Sequence, residues 1–156
     1  MRRGEGLITL LPPNGALARR TNKKECAMLT DEALVARALA AREKAYAPYS
    51  KFRVGAALEC EDGTVFDGVN VENAAYGVCL CAERAALAAA VTAGKRNFRR
   101  IAVVGGGEAY CTPCGICRQA LAEFSDDLIC LSANEKGDFR KDTIGGLLPE
   151  SFSLKK

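Results

Sequence analysis

The chain has 156 residues, 22 Lys and Arg against 19 Asp and Glu, a formal net charge of +3, and no histidine. A chain of that length forms one domain with a sizeable core, and no apolar run nears the ~20 residues of a membrane span. The missing imidazole excludes every His-ligated zinc site and every His-based nucleophilic triad. The charge is unevenly placed: residues 1–27 hold six basic and two acidic residues, which leaves 16 basic and 17 acidic residues for the rest. A globular part with net charge −1 gives no reason to expect a nucleic-acid partner.

Residues 1–27 mix Gly, Pro, Asn and basic residues without periodicity, the pattern of a disordered N-terminal extension. Their one apolar run, Leu7 to Leu11, is cut by Pro12-Pro13 and is too short for a signal h-region. Eight cysteines are then expected to be reduced, metal-binding thiols in a cytoplasmic protein.

From Met28 the pattern changes, and residues 28–156 form the expected domain. Thr30 is a good N-cap, and Asp31 and Glu32 suit the positive end of a helix dipole. Leu34, Ala38, Ala41 and Ala45 recur at helical spacing, which predicts a sheet-covering helix to about Tyr46, stopped by Pro48. Val54 to Cys60 and Val65 to Val71 read as strands joined by an Asp62-Gly63 turn. An Ala/Leu-rich helix over 81–93 ends at Gly94, and Ala85, Ala88 and Ala89 suggest its close-packing face. Ile101 to Val104 and Leu128 to Leu131 read as short buried strands, separated by a helix from Cys114 to Phe124. Asn134 to Gly137 turns, and Thr143 to Leu148 makes at most a short helix. The sum is an α/β fold, a three-layer α/β/α domain with a mixed sheet of four strands.

Two stretches carry chemistry. Cys81-Ala82-Glu83-Arg84 opens one helical run, and Pro113-Cys114-Gly115-Ile116-Cys117 opens another. Cys114 and Cys117 are three apart, so their sulfurs face one way. With Cys81 they make a three-thiolate zinc site, one Zn2+ per subunit, with a fourth position open to water. Glu83, two residues past a ligand, is placed to serve that water without binding the metal, as in zinc-dependent nucleobase deaminases. Arg84 is the obvious cation to offset the thiolates. Cys79 leaves a second reading open, a closed four-cysteine structural zinc module. A structural site has no need of an acid such as Glu83 beside it. Asn70 and Glu72 alternate onto one strand face, where they suit vicinal hydroxyls or simply end the strand toward solvent.

On these motifs, residues 28–152 closely resemble the small homotetrameric cytidine deaminases. The resemblance implies hydrolytic deamination of cytidine and deoxycytidine in pyrimidine salvage, by a zinc-bound hydroxide with Glu83 as proton shuttle. It implies that Asn70 and Glu72 bind the sugar hydroxyls and that Phe52 packs on the pyrimidine. It gives the Ala82 backbone a contact to the base and the Thr112 carbonyl a contact to the departing amine, and it puts Arg84 on the ligand sulfurs. Tyr76 and Phe152 match residues that reach a neighbouring subunit's pocket, so the partners expected are a nucleoside and three further copies of the chain. Related enzymes acting on a modified cytosine nucleoside share the cysteine motifs, which leaves that substrate open as well.

Overall fold

The computed structural model describes residues 28–154, so the expectation for 1–27 lies outside the described residues. In chain order these form α1 (Asp31–Arg42), β1 (Gly55–Cys60), β2 (Val65–Val69), a 3-10 turn (Tyr76–Val78), α2 (Ala82–Thr92) and β3 (Phe98–Val104). Then come α3 (Gly115–Ala122), β4 (Ile129–Ala133), β5 (Phe139–Thr143) and α4 (Ile144–Leu147).

The strands make one mixed sheet ordered β2-β1-β3-β4-β5, in which the β3–β4 pair is parallel and the others antiparallel. Alternation along each strand splits the core between two faces. Ala56, Leu58, Ile101, Val103 and Cys130 point toward α2, α3 and α4. Ala57, Ala102, Val104 and Leu131 point toward Leu34, Val35 and Ala38 of α1. The three-layer α/β expectation holds.

Four details differ from the sequence reading. β5 is a fifth strand whose Phe-Arg-Lys-Asp-Thr composition hides it, because an edge strand needs charge on its open side. α1 stops at Arg42, before Tyr46, because Tyr46 gives its N–H to the Asn70 carbonyl (3.0 Å) and its carbonyl to the Glu72 N–H (2.8 Å). α3 likewise ends at Ala122. The face of α2 that packs is Ala82, Ala86, Leu87 and Ala90, whereas Ala88 and Ala89 are exposed. Both α1 and α2 lie so near the sheet that glycine is needed beneath them. A Cβ on Gly55 would collide with α1 backbone at Ala38 and Arg42, and one on Gly68 with α2 backbone at Ala82 and Ala86.

Charge is also buried on the α1 face. Glu59 is fully buried and takes Arg100 Nε at 2.6 Å and the Leu29 N–H at 3.1 Å. Arg100 continues to Asp31 and to the Leu29 carbonyl, and Lys141 of β5 reaches Asp31 at 3.0 Å. This network ties the start of α1 to β1, β3 and β5.

Candidate active site

Two helices begin on cysteine. Cys81 is the N-cap of α2 and Cys114 the N-cap of α3, both with extended backbone and neither using its sulfur to cap the helix. A helix start ordinarily takes Ser, Thr, Asp or Asn. Placing an uncapping thiol at both starts forgoes that stabilisation and leaves two sulfurs free, in the field of two helix N-termini. Cys117, in the first turn of α3, adds a third. The Cys81 and Cys114 sulfurs are 3.8 Å apart, and all three sulfurs lie within 4.8 Å of one another.

The Cys81–Cys114 spacing fits zinc, and the Cys117 sulfur lies near enough to both to join them. Tetrahedral coordination with bonds of about 2.3 Å puts ligand sulfurs about 3.8 Å apart. Burial pushes the Cys81 and Cys117 thiols up. Burial opposes ionisation of Cys114 too, yet its thiol comes down because the nearby Cys117 backbone N–H and the Cys117 and Cys81 thiols favour its charged form. A bound cation is what brings such a crowded set to thiolates together. Arg84 stands beside them: it gives Nη2 to the Cys79 carbonyl at 3.1 Å, while its buried Nε makes no hydrogen bond. Burial lowers the Arg84 pKa less than the nearby Cys81 and Cys117 sulfurs raise it.

Glu83 sits in the first turn of α2 with 4% of its surface exposed, and burial pushes its carboxyl up. It lines a cavity of about 370 Å³ together with Cys81 and Cys114. Cys79 lines the cavity too, but its sulfur belongs to the 73–79 loop, accepting the Asn73 N–H at 3.3 Å and donating to the Asn73 carbonyl at 3.6 Å. It does not join the three-sulfur group.

The family model for the cytidine and deoxycytidylate deaminase zinc-binding region matches residues 28–132. The chain belongs to the cytidine deaminase family. A cytidine deaminase from Sporosarcina psychrophila is 50% identical over 123 residues, 78% of this chain and 90% of that protein. One from Halalkalibacterium halodurans is 47% identical over 122 residues, 77% of this chain and 92% of the other. The crystal structure of cytidine deaminase from Burkholderia pseudomallei superposes with a TM-score of 0.77 at 53% identity, covering 80% of this chain and all of that one.

The positions that the family resemblance singles out are mostly together. Phe52, Asn70, Glu72, Ala82 and Thr112 all line the same cavity. Asn70 is already partly engaged: its Oδ1 accepts the Val54 N–H at 2.8 Å and its Nδ2 donates to the Phe52 carbonyl at 2.9 Å. It thus holds the segment carrying Phe52, with one lone pair and one N–H to spare. Glu72 accepts the Tyr49 and Ser50 N–H groups at 2.9 and 3.2 Å and the Ser50 hydroxyl. Led by the Ser50 hydroxyl, these donors hold its carboxyl below the ordinary range.

Tyr76 and Phe152 are not brought into the cavity. They are 78% and 71% exposed. Tyr76 borders a smaller pocket of about 250 Å³ that shares Ser50, Glu72 and Cys79 with the main one. Phe152 is held along α3 by Gln119, which accepts its N–H at 3.1 Å and donates to its carbonyl at 2.9 Å.

One residue escaped the sequence reading. Ser50 binds Glu72 and also accepts the Phe52 N–H at 2.9 Å; the available signal was its place just after Pro48, between α1 and β1. Cys111 also lines the cavity, and burial pushes its thiol up to about 11.

Proposed function

We propose that this chain hydrolytically deaminates cytidine and deoxycytidine to uridine and deoxyuridine, releasing ammonia, as a step of pyrimidine salvage. The observation that carries this reading is the buried Glu83 carboxyl lining one cavity with Cys81 and Cys114, which with Cys117 form a thiol triangle of zinc dimensions. Cys81, Cys114 and Cys117 hold one zinc ion per subunit. When bound, that metal supplies Lewis acidity, which makes hydroxide available near neutral pH.

The remaining work falls to the chain's own groups. Glu83 takes the proton released as water adds to C4 and delivers it to N3 of the pyrimidine. It then carries the proton of the new C4 hydroxyl to the amine, and the C4–N bond breaks to give ammonia and the C4 carbonyl of the uridine. One carboxyl serves as base and then acid, which a raised pKa favours. The Ala82 N–H is among the unpaired donors at the start of α2 and holds the base, while the Thr112 carbonyl receives the departing amine. Phe52 packs on the ring. Asn70 offers its spare donor and acceptor, and Glu72 its carboxylate, to the sugar hydroxyls. Arg84 offsets the charge of the three thiolates.

The chain works as a homotetramer with shared sites. The exposed aromatics Tyr49, Phe52 and Tyr76 around the pockets support this, as surface that a neighbour would cover. The cytoplasm is its place: the seven described cysteines are all free, which suits a reducing compartment.

The test is the loss of ultraviolet absorbance of cytidine, deoxycytidine and free cytosine with zinc-loaded protein. Turnover of both nucleosides is expected, with Glu83→Gln retaining zinc and losing about 10²–10⁴-fold in rate. No turnover of either nucleoside, or a Glu83→Gln variant as fast as wild type, would sink the reading.

A further inference from the structure

The proposed chemistry leaves Arg118 unused, although it directly follows Cys117 and is tied at both ends of its guanidinium. Its Nε donates to the Pro113 carbonyl at 2.8 Å, and its Nη1 donates to the Leu147 carbonyl, at the end of α4, at 2.8 Å. We infer that Arg118 is a positioning residue for the metal-binding turn, clamping the Pro113 carbonyl and so fixing the direction in which Cys114 presents its sulfur. This rests on the zinc site proposed above.

The reason lies in how little else can hold that turn. Pro113 is fully buried. Its ring sets φ near −65° and removes its N–H, so the segment's one soft torsion there is ψ of Pro113. That torsion rotates the peptide whose nitrogen belongs to Cys114. It therefore swings the Cα–Cβ bond of the ligand. Helical hydrogen bonding does not restrain it, because the first bond of α3 runs from the Arg118 N–H to the Cys114 carbonyl, one residue too late. A buried carbonyl needs a donor, and the Arg118 side chain supplies it. Upstream, the Cys111 N–H is fixed on the Ala133 carbonyl at the end of β4 (3.0 Å). The 111–114 turn is thus pinned at its start by the sheet and at its end by Arg118. The rigid guanidinium fork lets one side chain hold both carbonyls, which a lysine cannot reproduce.

Arg118 could instead serve only to fasten α4 to α3. The molecule contains a built-in comparison: Gln119, next on the same helix, fastens the tail at Phe152 and makes no bond to the 111–114 turn. Zinc release into excess chromogenic chelator should be timed for wild type, Arg118→Met, Arg118→Lys and Gln119→Ala. Absorption spectra of the cobalt-substituted proteins then report sulfur coordination directly. Arg118→Met is expected to release zinc about 10–100-fold faster, the usual effect of losing a group that orients a ligand. Arg118→Lys should fall between it and wild type, and its cobalt spectrum should be shifted. Gln119→Ala should release zinc within about twofold of wild type, with the wild-type spectrum. Wild-type release from both Arg118 variants, or equal acceleration in Gln119→Ala, overturns the inference while leaving the metal site standing. If Arg118→Met does not fold, Arg118→Lys carries the same comparison. A wild-type protein that never takes up zinc sinks the metal site, and the inference with it.

Discussion

Gly68 of β2 lies directly beneath Ala82, the first residue of α2. A methyl on Gly68 would run into the Ala82 carbonyl oxygen and come within 2.9 Å of the Ala86 Cβ. This contact sets the height of the helix start that carries Cys81 and Glu83 above the sheet. Backbone cannot give way there as a side-chain tip would, so Gly68→Ala must lift α2. Overpacking of this kind costs about 1–3 kcal/mol. Urea denaturation should show that loss. Turnover should fall by more than the unfolded fraction explains, because Glu83 moves with the helix. Unchanged stability would mean that the α2–β2 contact yields freely.

The sulfur assignment separates an open catalytic site from a closed structural one. Cys79 bonds to Asn73 and Cys111 packs beside Gly105. Cys79→Ala and Cys111→Ala are therefore expected to keep zinc near one per chain by metal analysis. Cys81→Ala, Cys114→Ala and Cys117→Ala are expected to lose it. Loss of zinc from Cys79→Ala would favour the four-cysteine site.

The buried charges under α1 give a pH dependence. Burial pushes the Asp31 carboxyl up, but Lys141 and Arg100 together hold it below its ordinary 3.8. A carboxyl depressed by folding contributes stability that is fully present above pH 3.8 and is lost as pH falls through its lower folded value. Asp31→Asn should flatten that acid limb in a series of melts. Arg100→Met strands the fully buried Glu59 and should cost about 3–5 kcal/mol near neutral pH. A melt indistinguishable from wild type at neutral pH would show that solvent reaches Glu59.

Shared sites can be tested by mixing defects. Suppose Phe152 of one subunit covers the cavity next door. Chains with Glu83→Ala then still supply Phe152, and chains with Phe152→Ala still supply Glu83. Co-expressed as verified mixed tetramers, they should exceed the mean activity of the two separate variants, given that Phe152→Ala alone is impaired. Removing a packed aromatic usually costs a few kcal/mol, about 3–5, so that impairment should be plain. Mixed tetramers with no gain would confine each site to one chain.

What the sequence determined by itself was the chemistry and the layers. Absent histidine, a zinc site had to be built without imidazole, and Cys81, Cys114 and Cys117 with Glu83 at fixed spacing marked a deaminase pattern. Periodicity placed α1, the β1–β2 hairpin and the two helices that start on cysteine. Those features are local, carried by residues a few positions apart. Tertiary structure decided the rest, because it depends on which distant groups meet. β5 looked like loop because an edge strand is stabilised by its partner's hydrogen bonds and not by apolar side chains. α1 ended early because Tyr46 found backbone partners at Asn70 and Glu72, 24 and 26 residues on. The packing face of α2 turned on where Gly68 opened room in the sheet. Cys79 was separated from Cys81 by the fold of the 73–79 loop, and Arg118 met Pro113 and Leu147 only once α3 and α4 had docked. A spacing motif fixes which atoms can react; only the packed chain fixes which backbone groups hold them in place.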